Sequence, residues 1–196
     1  MCEVIIRLPG WVERFVSESP DVFASVEDRM RFVIVLARRN VRHGTGGPFG
    51  AAIFDDAGRL TAPGVNLVVS ANCSVAHAEI VAVTLAQKAL GRYDIGDGGT
   101  ADYELVSSTE PCAMCFGAVP WSGVSRLVCG AREADARAVG FDEGAKVSYW
   151  AAALYSRGIE VLRDVLRDEA AAVLQEYADA GGALYNTGRP PESSGR

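Results

Sequence analysis

Apolar residues in this chain follow two alternating rhythms, stretches with a period near 3.6 residues and short continuous runs. Val26, Met30, Val33, Ile34, Ala37 and Val41 recur at helical spacing and stop at His43-Gly44, which predicts a long helix with one buried face. The Gly/Pro-rich stretch 44–50 reads as a turn. Two apolar runs, 51–54 and 64–69, flank Asp55-Asp56-Ala57-Gly58 and predict a β-hairpin. A helix is expected from about Ser74 to Leu90, stopped by Gly91. Residues 102–107 predict a buried strand, Pro111 suits the first position of a helix reaching about Trp121, and 124–129 predict another strand. A polar, glycine-punctuated connection with some helix covers 135–146. A short helix at 148–157 and a last strand at 159–162 follow. Leu166, Ala170, Val173, Leu174 and Tyr177 then mark an amphipathic helix that closes at Gly181-Gly182.

Helices alternating with strands predict an α/β domain with helices on both faces of one sheet. Residues 1–25 read as an N-terminal arm broken at Pro9-Gly10 and Pro20, residues 26–186 as the domain, and 187–196 as a mobile tail rich in Pro, Ser and Gly. At 196 residues, 49% hydrophobic and 22% charged, the chain can bury one sizeable core. Its net charge of −6 argues against a nucleic-acid backbone as partner, because phosphate binding needs a basic footprint. Arg38, Arg39 and Arg42 lie along one predicted helix and form no visible patch. No apolar run approaches the roughly 20 residues that span a bilayer. Charged residues interrupt the N-terminus, so no signal-peptide core is present and a cytoplasmic location is expected. Five cysteines, an odd number, make a poor disulfide framework.

Chemistry concentrates in two segments, His77-Ala78-Glu79 and Pro111-Cys112-Ala113-Met114-Cys115. His77, Cys112 and Cys115 supply three ligands for one zinc ion and leave a fourth tetrahedral position open, which separates catalytic from structural zinc. Both segments are expected in the first turns of helices. There, cysteines three apart share a face and the partial positive charge of the helix end favours thiolate. Water at the open position is acidified towards neutrality, and Glu79 stands close enough to carry its proton. A structural site would need a fourth ligand, for which His43, Cys73 and Cys129 are the candidates, and would have no use for Glu79.

The pairing of H-x-E with P-C-x-x-C is the signature of zinc deaminases, and at these residues the chain resembles the cytidine deaminase superfamily, most closely its guanine deaminase branch. The likeness runs over about residues 26–150 and includes Gly47-Pro48-Phe49-Gly50-Ala51, Gly64-Val65-Asn66 and Gly140-Phe141-Asp142-Glu143-Gly144. It implies a three-layer α/β/α sandwich around a five-stranded mixed sheet, with a zinc cofactor. Its implied activity is hydrolytic release of ammonia from an aminated heterocycle, most simply guanine to xanthine. By the same resemblance Glu79 and Glu143 are catalytic, and Asn66, Trp121, Asp142 and Tyr185 are substrate contacts. Phe49 is read as packing beneath the metal helices. The bland readings are a solvated turn for Asp142 and Glu143, a core or interface aromatic for Trp121, and a surface residue for Tyr185. The expected partner is a small nucleobase, in a homodimer with exchanged C-terminal segments. The alternatives are a triazine such as ammeline, a pterin, cytosine or a purine nucleoside as substrate, or a silent protein with structural zinc.

Overall fold

The computed structural model describes residues 5–185; Cys2, the expected tail at 187–196 and any exchange of that segment lie outside the described residues. Five strands, β1 (Gly50–Asp55), β2 (Leu60–Val65), β3 (Tyr103–Thr109), β4 (Arg126–Ala131) and β5 (Glu160–Leu162), form one sheet in the order β2-β1-β3-β4-β5. β1 runs antiparallel to both β2 and β3, whereas β3, β4 and β5 are parallel. The sheet is therefore mixed and five-stranded, as expected.

Alternation along the strands divides the interior into two layers. Ala52, Phe54, Val106 and Val128 face α1 (Gly10–Ser17), α2 (Val26–Arg42), α5 (Glu133–Ala138) and α7 (Arg167–Asp179). Ala51, Ile53, Leu105 and Leu127 face α3 (Ala78–Leu90), α4 (Ala113–Ser122) and α6 (Trp150–Tyr155). Helices thus cover both faces. Gly64 brings α3 down onto β2, since a side chain there would collide with the Ala78 carbonyl.

Several boundaries depart from the sequence reading. The arm contains a helix, α1, whose Val12 is fully buried against the first core layer. The second hairpin strand ends at Val65, and 66–77 are a loop. α2 starts where expected because Ser25 and Asp28 form a reciprocal capping box. α3 and α4, by contrast, start one residue after a zinc-ligand candidate: His77 and Cys112 are extended cap residues outside the helices. Pro111 accordingly precedes α4 instead of opening it.

Candidate active site

The parallel part of the sheet ends beside the N-termini of α3 and α4, the edge at which α/β folds place ligands. His77 caps α3 with its backbone extended (φ −69°, ψ 156°), Cys112 caps α4 in the same way (φ −65°, ψ 174°), and Cys115 lies in the first turn of α4. A cap residue is still held by its helix, through Val81 N to His77 O at 2.9 Å and Phe116 N to Cys112 O at 2.8 Å. Its side chain is meanwhile free to turn across the helix end.

His77 Nδ1 stands 3.5 Å from Cys112 Sγ and 3.6 Å from Cys115 Sγ. Tetrahedral zinc, with bonds of about 2.0–2.1 Å to nitrogen and about 2.3 Å to sulfur, requires a nitrogen–sulfur separation of about 3.5 Å. The donor triad is already set for the ion. Among the described residues it is the only group of three or more potential ligands within reach of one centre. Neither Cys73, Cys129 nor His43 joins it. A structural site completed by one of them is not what this chain builds.

Electrostatics agree with that geometry. The Cys115 thiol donates towards Cys112, which holds Cys112 down at about 4 against the opposing effect of burial, with help from His77. The same bond, followed by burial, pushes Cys115 well up. Two thiols this close share one negative charge until a cation lies between them. Burial alone would lower His77, but the Cys112 thiolate and Glu79 beside it raise its affinity for a proton.

Next to the triad lies a cavity of about 150 Å³ lined by Phe49, Asn66, Val68, Ser74, His77, Glu79, Glu110, Cys112, Phe141, Asp142, Glu143 and Tyr185. Glu79, in the first turn of α3, is 8% exposed, and burial followed by the Cys112 charge raises its pKa. Glu143 is 5% exposed and is pushed up to about 8 by burial first, then by Cys112 and Glu79. Two buried carboxyl groups therefore share one small space, each with its affinity for a proton raised. Ala113 N donates to Glu143 O at 2.9 Å, tying this loop to the start of α4.

Asn66 is completely buried; its Oδ1 accepts from Val68 N at 3.3 Å, while its Nδ2 has no hydrogen-bond partner among the described residues. A buried amide donor at a cavity wall is poised for a ligand acceptor. Asp142 is exposed on the cavity rim, where its Oδ1 accepts from Gly144 N at 2.9 Å, so it also shapes the turn. Tyr185 lines the cavity, its hydroxyl buried without a hydrogen-bond partner among the described residues and its ring 5.4 Å from that of Phe141. Phe49 packs edge-on to Phe141 at 4.9 Å and also lines the cavity.

Trp121 is not brought to this cavity. It is 78% exposed and borders a shallow surface groove with Tyr93, Pro120 and Arg157. Six residues of helix at about 100° each turn it about 240° from the direction of Cys115, so one straight helix cannot aim both inward.

The sequence reading missed Asn40. Its Nδ2 donates to Gly47 O at 3.0 Å and to Asn66 O at 2.8 Å, and its Oδ1 accepts from Thr45 Oγ1 at 2.7 Å. Thr45 in turn accepts from Trp11 Nε1 at 3.1 Å, which links α1 to the asparagine loop. Gly46 permits this close approach, because a side chain there would collide with the Asn66 carbonyl. The available signal was a polar residue three positions after Ala37 and seven after Val33, on the buried stripe of α2.

A family profile described as the cytidine and deoxycytidylate deaminase zinc-binding region matches residues 24–131. A guanine deaminase from Bacillus subtilis (strain 168) is 39% identical over 117 residues, which is 60% of this chain and 71% of that protein. A solved guanine deaminase from Nitrosomonas europaea is 47% identical, covers 90% of this chain and 97% of its own, and superposes with a TM-score of 0.85. A solved complex with 2,6-diaminopurine is 48% identical, covers 93% and 96%, and has a TM-score of 0.86.

Proposed function

The chain belongs to the zinc-binding cytidine and deoxycytidylate deaminase family, and from that premise we propose that it is a zinc-dependent guanine deaminase, hydrolysing guanine to xanthine and ammonia. One observation carries this reading: His77 and Cys112 of the zinc donor triad and two buried carboxyl groups, Glu79 and Glu143, line the same small cavity as the free amide donor of Asn66. The relative that binds 2,6-diaminopurine supports a purine with an amine at C2. A cavity of about 150 Å³ favours a free base over a nucleoside.

His77, Cys112 and Cys115 would hold zinc, which would supply a Lewis acid able to make water nucleophilic at neutral pH. Glu79, adjacent to the triad, takes the proton of the attacking water and delivers it to the ring nitrogen beside C2. Glu143, held protonated by burial, gives its proton to the exocyclic amine; as the C2–N bond breaks and its electron pair leaves with ammonia, Glu79 takes the proton of the added hydroxyl, which becomes the C2 carbonyl. Once ionised, the Glu143 carboxylate is an acceptor suited to the N1–H of the base. Asn66 Nδ2 donates to the base edge, and Phe49 and Phe141, packed edge-on to one another, give the cavity an apolar wall. Asp142 and Tyr185 complete the rim.

Release of ammonia by zinc-loaded protein, screened across guanine, guanosine, adenine, cytosine, pterins and ammeline, tests the assignment. Guanine should be the fastest; a faster turnover of any of the others would overturn the substrate.

Among the described residues no helix is long and apolar enough to cross a membrane, which is in keeping with a cytoplasmic location. We further infer a homodimer, since Trp121 and Tyr93, 78% and 85% exposed, border one surface groove that a second copy would cover. Sedimentation as a monomer at micromolar concentration would remove that inference.

A further inference from the structure

Glu143 stands in the irregular segment between α5 and α6, where no helix or strand fixes it. Proton transfer nevertheless requires its carboxyl to be held in a narrow range of positions, because displacement by about 1 Å can cost about 100-fold in rate. We propose that Lys146 and Glu133 form a partly buried ionic brace that sets Glu143 against the loop carrying Cys112, making Lys146 a positioning residue for the deamination. This rests on the reading of Glu143 as the second proton carrier.

The Lys146 side chain is 1% exposed, although it springs from a loop that could carry a lysine into water. Its Nζ donates to Pro111 O at 2.6 Å, pairs with Glu133 Oε2 at 2.8 Å and lies 4.6 Å from the centre of the Trp150 ring. An ammonium has three hydrogens, and three partners surround this one. Only the lysine end is withdrawn from water, since Glu133 keeps 24% of its side chain exposed, so the pair stands between a surface bridge and a fully buried one.

The contacts connect the two loops that must be kept in register. Pro111 immediately precedes Cys112, and Lys146 follows Glu143 by three residues. The bond from Ala113 N to Glu143 O ties the same loops at a second point, so Glu143 is bracketed. Glu133 grips the segment once more through Arg137, whose Nη2 donates to Gly144 O at 2.8 Å. Glu133 is itself anchored, its backbone N donating to Glu110 Oε2 at 3.0 Å, and Glu110 is held on its other oxygen by Arg163. The brace is thus rooted in the segments that follow β3, β4 and β5.

Steady-state kinetics and zinc content of the loaded protein test the brace. Lys146→Met should lower kcat for guanine on the order of tenfold, with KM changed by less than about threefold and zinc unchanged. Glu133→Ala, at the more exposed end of the pair, should reproduce the loss to a lesser degree. In a Glu143→Gln background either substitution should cost less than about a further twofold, because the group that they position is gone. Unaltered kcat in Lys146→Met, an equal loss in both backgrounds, or loss of zinc would each overturn the brace. Should Lys146→Met fail to fold, the same comparison with Glu133→Ala decides. Undiminished turnover in Glu143→Gln alone would instead remove the reading of Glu143, a result distinct from any failure of the brace.

Discussion

The cavity has two walls built in different ways. The metal wall comes from two helix starts: His77 and Glu79 at α3, Cys112 and Cys115 at α4. The base wall comes from four separate connections. Phe49 and Asn66 flank the β1–β2 hairpin, Phe141 and Glu143 follow α5, and Tyr185 follows α7. Short spacings at helix starts fix the first wall, because Cys112 as the cap of α4 and Cys115 in its first turn are held together by that helix end almost regardless of the rest of the chain. The second depends on hydrogen bonds and ion pairs that reach across the fold, such as Asn40 under Asn66 and Lys146 behind Glu143. Chemistry common to a family can therefore be carried by the metal wall, while substrate choice is left to the loops.

That contrast can be tested where it is strongest. Removing zinc with a chelator should abolish ammonia release and lower the thermal midpoint, with both restored by added zinc; full activity in verified metal-free protein would break the metal wall's role. Glu79→Gln should keep zinc but lower kcat by about 10²–10⁴-fold, the usual worth of general acid–base catalysis. Normal turnover with full zinc would free Glu79 from proton transfer.

On the base wall the effects should be smaller and should fall on recognition. Asn66→Ala should lower kcat/KM for guanine about 10–100-fold, since one buried donor to the base is lost, with zinc retained. An unchanged kcat/KM would show that the base edge is held elsewhere. The smallest expected effect is on the pH profile. Glu143 acts protonated, and its pKa is raised to about 8, so turnover should fall as the pH rises through that region. The charge of bound zinc acts in the opposite direction and should place this limb at or below about 8. Glu143→Gln, slower throughout, should lose the limb; a limb that persists would belong to another group.

Much of the fold was legible because its elements are locally coded. The stripe from Val26 to Val41 gave α2, Gly91 ended α3, and the short apolar runs gave the sheet strands. Errors arose where tertiary contacts override a local signal. The apolar run past the hairpin, Leu67, Val68 and Val69, suggested continued strand, but Leu67 is buried in a loop that leads Asn66 into the cavity. Pro111 suits a helix start, yet the helix begins two residues later so that Cys112 can turn to the metal. Trp121 has the right sequence distance from Cys115 and the wrong helical phase for this cavity.

By itself, the sequence determined the alternation of elements, the donor triad and the carboxylate beside it, since spacings of two or three residues on a helix end leave little freedom. Only the tertiary structure decided that Tyr185 lines the cavity, that Glu143 is buried while its neighbour Asp142 is exposed, and that Asn40 and Lys146 stand behind the site. The physical reason is reach: local backbone geometry is settled within a turn of helix. Convergence of distant loops depends on the order of strands in the sheet and on how helices pack against its two faces.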